Sequence, residues 1–144
     1  MASSFHDDYV NTILSAVMKY NATGTRTYNA SNALIIAADP SICLFDLATG
    51  WTSAINCSTD EVTGGTYARQ SAVFAAVAGG TTDNDAIIDF TLMPACTVYS
   101  VGICATATEG TDDCIIGGDL TASKACNAGD TFRIAAGDLD VTLV

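Results

Sequence analysis

Six cysteines, Cys43, Cys57, Cys96, Cys104, Cys114 and Cys126, are the side chains of this sequence best equipped for chemistry. Thiols at this density can form disulfides, hold a soft metal, or pack as small apolar groups. No Cys-x-x-Cys pair occurs and His6 is the sole histidine, so the spacing does not spell out a zinc site. No metal and no other cofactor is expected. Disulfides in a particle that leaves the cell for an oxidising environment stay open beside free thiols in a core. Strand positions near one another in sequence, Cys96 with Cys104 or Cys114, are the most economical partners for a bridge.

Catalytic constellations are hard to find. A Ser-His-Asp or Cys-His site would have to use His6, which stands beside Asp7 at the start of a helical pattern and reads as a solvated first-turn residue. Asp83-x-Asp85, Asp112-Asp113 and Asp138-x-Asp140 are carboxylate pairs in turns, where Asp bonds its own backbone; none fits a calcium loop with its terminal glutamate. No phosphate-cradling Gly-rich loop with lysine occurs. Asn21, Asn29 and Asn56 open glycosylation-type triplets that carry no weight without a secretory signal. The expectation is a protein without catalytic residues.

Arg69 differs from the other four basic residues because it lies inside an apolar run, Tyr67 to Phe74. It either alternates out to solvent or is buried with an acidic partner, since an unpaired buried guanidinium is costly. Asp60 or Glu61 just upstream, or a neighbouring subunit, would supply that partner.

These residues need elements to position them. At 144 residues the chain suits one domain with a sizeable core. Phe5, Tyr9, Ile13, Val17 and Tyr20, joined by Val10, Leu14 and Met18, recur at helical spacing, which predicts an amphipathic helix over 4–20. Residues 21–40, rich in Asn, Thr and Gly at first, form an expected arm or loop suited to contacts with other proteins. Strands are expected at Ile42 to Leu47, Tyr67 to Phe74, Ile87 to Leu92, Thr97 to Cys104, Ile115-Ile116, Leu120 to Ala125, and after the Gly129-Asp130 and Gly137-Asp138 turns. In the last of these, Leu139, Val141 and Leu143 alternate with Asp140 and Thr142, which predicts one buried face. Seven or more short strands with Gly-rich turns predict a mainly β, jelly-roll-like single β-sandwich over 41–144 with the helix in front of it, the whole of 1–144 forming one domain.

Sixteen acidic against five basic residues give a net charge of −11, which disfavours nucleic acid and anionic membranes as partners. No apolar run reaches the ~18 residues of a membrane span. The start of the chain is acidic where a secretory signal would be basic, so synthesis and assembly in the cytoplasm are expected. A charged fraction of 15% is low and suits surfaces covered by other protein.

The block Glu61-Val62-Thr63-Gly64-Gly65-Thr66-Tyr67-Ala68-Arg69-Gln70-Ser71-Ala72-Val73-Phe74 resembles a motif of a family of small tailed-bacteriophage virion proteins. These are commonly described as phage tail fibre proteins, and some are capsid decoration proteins. Further landmarks are similar in the same order: Ile42 to Leu47, Ile87 to Phe90, Val98 to Ile103 with Gly102-Ile103, Leu120 to Lys124, Asn127 to Phe132, Ala136-Gly137 and Leu139 to Leu143. The six cysteines and the enlarged stretch from Asn21 to Pro40 depart from that pattern. The resemblance implies a non-enzymatic β-sandwich component of the virion, with a capsid decoration or cement protein as the first expectation and a tail or tail-fibre protein as the alternative. Its partners would be other virion proteins, the major capsid protein or tail proteins, and further copies of itself in a trimer or other symmetric oligomer. Trp51 with nearby tyrosines leaves a carbohydrate-binding surface module as a second alternative, although a lone tryptophan is more often core or interface.

Overall fold

A computed structural model describes residues 40–52, 54–112 and 114–142. The helix expected over 4–20, the arm expected over 21–40 apart from Pro40, and Leu143 lie outside the described residues. The chain divides into two compact units, one formed by Pro40–Ser71 and Ile88–Arg133 and the other including residues 72–87 and the chain from Ile134 onward.

The first unit is organised by an antiparallel sheet in the order β2-β1-β5-β6. Strand β1 (Ser41–Phe45) is buried at every position, as the apolar run Ile42 to Phe45 within it requires of a strand covered on both faces. It pairs on one side with β2 (Gln70–Ser71) and on the other with β5 (Cys96–Cys104), Leu44 standing opposite Val101. Strand β5 runs on through a hairpin into β6 (Cys114–Cys126), an outer strand exposed from Thr121 to Ala125 and buried again at Cys126. Between β1 and β2 lies a four-residue helix, α1 (Cys57–Asp60). Asn56 caps it by accepting from the Ser58 N–H at 2.8 Å, and its own N–H donates to Asp60 Oδ2 at 2.9 Å. A second pair of strands, β4 (Ile88–Phe90) with β7 (Phe132–Ile134), carries an aromatic cluster. There the Phe90 ring stacks on Tyr67 at 6.0 Å and meets the Phe132 ring edge-on at 6.1 Å.

In the second unit, β3 (Thr81–Thr82) pairs with β8 (Val141–Thr142). Val141 is buried while Asp140 and Thr142 are exposed, which follows the alternation in the sequence. Asn84, fully enclosed, is the hub: Nδ2 donates to the Ala86 and Ala135 carbonyls, and Oδ1 accepts from the Leu139 N–H. All three amide-group bonds fall within 2.7–2.8 Å, so this buried polar side chain is satisfied at both ends.

The described residues are mainly β, as expected. Their strands group as one four-stranded and two two-stranded sheets, and this pairing does not by itself amount to the single jelly-roll-like sandwich. Two local expectations change. Tyr67 to Phe74 is not one strand, because only Gln70 and Ser71 reach β1. The segments 115–116 and 120–125 are one strand, since Gly117-Gly118 and Asp119 continue the ladder opposite Gly102, Val101 and Ser100.

Candidate functional site

One face of the four-stranded sheet brings sulfur together. The register sets Cys43 opposite Gly102, and Cys104 opposite Cys114 at the end of the hairpin. Three thiols from three neighbouring strands therefore converge, and α1 supplies the fourth, Cys57. The Cys104 Sγ lies 3.0 Å from that of Cys43 and 3.0 Å from that of Cys114, and Cys43 and Cys114 are 3.4 Å apart. All four Sγ atoms lie within 4.8 Å of one another. Cys43, Cys57 and Cys104 are buried and Cys114 is half-buried.

Glycine makes this approach feasible. A Cβ on Gly102 would stand 2.7 Å from Cys114 Sγ, 2.8 Å from Cys43 Sγ and 2.7 Å from the Phe45 ring. Gly117 opens the same kind of space for Trp51, whose ring would collide with any side chain there. Trp51 meets Phe45 edge-on at 5.6 Å, and with Ile55 it covers the cluster. A cleft of about 340 Å³ between Trp51, Ile55, Asp112 and Ile116 reaches Cys114.

The thiols share their protons unequally. Donation from Cys104 and then Cys43 holds Cys114 down at about 4. Cys43 is driven far up, first by its hydrogen bond to Cys104, and Cys104 far up by its bond to Cys114. Burial is the main cause that pushes Cys57 to about 11. The positive charge of Arg69 acts the other way on Cys57, Cys104 and Cys114, favouring their thiolates.

Arg69 does not alternate out to solvent. Its side chain and that of Glu61 are fully buried and form a forked ion pair, Nε donating to Oε1 at 2.9 Å and Nη2 to Oε2 at 2.8 Å. Tyr67 Oη donates to Oε1 at 3.0 Å and the Gly110 N–H to Oε2 at 3.0 Å, so the carboxylate is surrounded by donors. Tyr67 Oη in turn accepts from the Leu44 N–H of β1. Burial, and then the charge of Glu61, raise the Tyr67 hydroxyl well above the usual phenol range. Arg69 also donates to the carbonyls of Thr106 and Thr111, at 3.0 and 2.7 Å. The connection from β5 to β6 is thus held by three of its backbone groups, and Asp112 within it accepts from the Cys57 N–H.

Cys96 and Cys126 take no part in the cluster. They face each other in register at the far end of the hairpin. Cys96 and Cys104 begin and end the same strand, roughly 25 Å apart at strand rise, so Cys96 cannot bridge to Cys104 or Cys114. The economy of short sequence separation fails because an extended strand drives its ends apart. Missing Cys-x-x-Cys spacing does not preclude a sulfur group, since pairing of strands assembles four thiols that no local motif announces. Nested cysteines about the Glu109-Gly110 turn, Cys104 with Cys114 inside Cys96 with Cys126, were the available signal for the hairpin. Cys57 had none. Among the described residues, no acidic turn pair gathers a third ligand.

A family model described as Podophage GP4 fiber I protein gp80 matches residues 19–142. The chain belongs to this family. It is therefore a tailed-phage structural protein of fibre type, its place is the virion, and its partners are other virion proteins. No curated protein matches the chain. The matched span contains the ion pair, all six cysteines and every described strand.

Proposed function

We propose that this member of the gp80 family is a non-enzymatic subunit of a fibre on the phage particle, attached by protein–protein contacts and present in several copies. The observation that carries this reading is the family match over residues 19–142. The character of β6 supports it: thirteen residues long, largely exposed, and at the edge of its sheet among the described residues. A long free edge invites pairing with another chain, and Lys124 is the one basic residue along it. Association of copies through β6 suits a trimer or other symmetric oligomer. The capsid-decoration reading differs in the point of attachment, and no feature of the described residues favours it over the fibre.

The experiment is electron microscopy of particles from a phage lacking this gene, alongside particles labelled through a tag on the chain. Loss of fibre density with label on fibres is expected. Label spread over the shell with every fibre intact would favour decoration and overturn the fibre assignment. Native mass measurement of the purified chain is expected to give an oligomer, and a strict monomer that never enters particles would defeat the reading altogether.

A further inference from the structure

We propose that Cys43, Cys57, Cys104 and Cys114 bind one zinc ion, which clamps β1, α1 and the closed end of the β5–β6 hairpin together. Four sulfurs bonded to zinc at ~2.3 Å in a tetrahedron stand about 3.8 Å from one another. The four Sγ atoms here are separated by 3.0 Å at the nearest and lie within 4.8 Å overall, which brackets that edge. Such a spread leaves room for a single ion and excludes a multi-iron cluster. An all-thiolate tetrahedral set suits zinc, with a single iron as the competitor that elemental analysis separates, and oxygen-seeking calcium or magnesium is excluded.

Disulfides explain the arrangement less well. A bridge joins sulfurs two at a time at about 2.05 Å, whereas Cys43, Cys104 and Cys114 each approach the other two almost equally. No pair is singled out. Gly102 beneath them keeps open the space where a side chain would displace two of the sulfurs. The surroundings also suit a resident ion. Cys57 is aimed by the Asn56 cap and by its N–H bond to Asp112, and the Glu61–Arg69 pair fixes the connection whose two ends carry Cys104 and Cys114. Binding replaces four S–H bonds with four S–Zn bonds and releases the thiol protons to solvent, with no redox step. Four protein ligands leave no open coordination position, so the ion is structural. The site does not depend on where the chain sits on the particle.

The test uses the full chain, purified under reducing conditions without chelator. Elemental analysis is expected to find one zinc per chain, and removal by a strong chelator to lower the melting temperature, with recovery on adding zinc alone. Exchange with cobalt is expected to give the intense thiolate-to-cobalt charge-transfer absorption of a tetrahedral sulfur site. Cys57→Ser should weaken zinc binding by more than about 100-fold, since even the loss of a supporting contact can cost that much. Cys96→Ser should leave both stoichiometry and affinity unchanged. The proposal is overturned by a chain that takes up neither zinc nor cobalt, by iron found in place of zinc, or by unchanged affinity in Cys57→Ser. If Cys57→Ser does not fold, the cobalt spectrum of the unaltered chain decides, and weak absorption without thiolate bands overturns it.

Discussion

Replacing Arg69 should do far more damage than replacing Arg133, although both are arginines in salt bridges. Arg133 holds Asp89 through two short bonds, yet its side chain is 58% exposed, and water and salt replace what the pair supplies. Arg69 is completely enclosed. In Arg69→Met the Glu61 carboxylate keeps the Tyr67 hydroxyl and the Gly110 N–H but loses both guanidinium bonds and the counter-charge they carry. The carbonyls of Thr106 and Thr111 lose a donor in the same step. Breaking a buried pair from one side costs about 3–5 kcal/mol. At this chain length that corresponds to a fall in melting temperature of roughly 10–20 °C. The assay is thermal and urea unfolding of Arg69→Met, Glu61→Gln, the double variant and Arg133→Ala. The double variant should recover part of the loss, because an uncharged pair of similar size leaves no stranded charge. Arg133→Ala should melt with the unaltered protein. Equal midpoints for the Arg69 and Arg133 variants would refute the enclosure of the pair.

Tyr67→Phe removes the acceptor of the Leu44 N–H and one donor to Glu61, so unfolding free energy should fall by about 1–3 kcal/mol in urea titrations. Gly102→Ala puts a methyl group against two sulfurs and the Phe45 ring, and calorimetry should show a loss of about 1–3 kcal/mol. Leu92 is exposed and held at φ 54°, a region disfavoured for branched side chains, so Leu92→Asn should raise the melting temperature by a few degrees, equivalent to ~1 kcal/mol. Burial first, then the charge of Cys126, push the Cys96 thiol from 9.0 to about 11. A raised folded pKa means that its contribution is complete below pH 9 and is lost as pH rises towards 11. Unfolding free energy should decline across that window, less steeply in Cys96→Ser.

Elements whose partners are written into their own composition were legible in the sequence. Ile42 to Phe45 is apolar throughout and becomes a strand buried on both faces; Leu139 to Thr142 alternates and puts Val141 inside. Elements defined by what lies opposite them were not. Gly117-Gly118-Asp119 reads as a break, yet it continues β6 because Gly117 admits the Trp51 ring and Asp119 accepts from the Trp51 N–H. Tyr67 and Arg69 read as strand residues, but their side chains turn to Glu61 and only the following two residues pair. The thiol cluster was the least legible, since its members come from four elements and meet only once the register is set.

The ion pair and the thiol cluster act on the same stretch of chain. Cys104 and Cys114 root the connection between β5 and β6, while Arg69 and Glu61 take hold of it at Thr106, Gly110 and Thr111. A buried ion pair contributes little net stability over an apolar core of the same volume, and its best-attested use is to select one arrangement. Here the arrangement selected is the shape of a hairpin end, which sets the register of β5 against β6 and so the position of the exposed edge. A one-residue slip would turn every side chain of β6 to the opposite face. It would also pull Cys114 from Cys104 and move the Gly110 N–H away from Glu61. If copies associate along β6 as proposed above, a fixed register at the closed end of the hairpin would keep that edge the same in every copy.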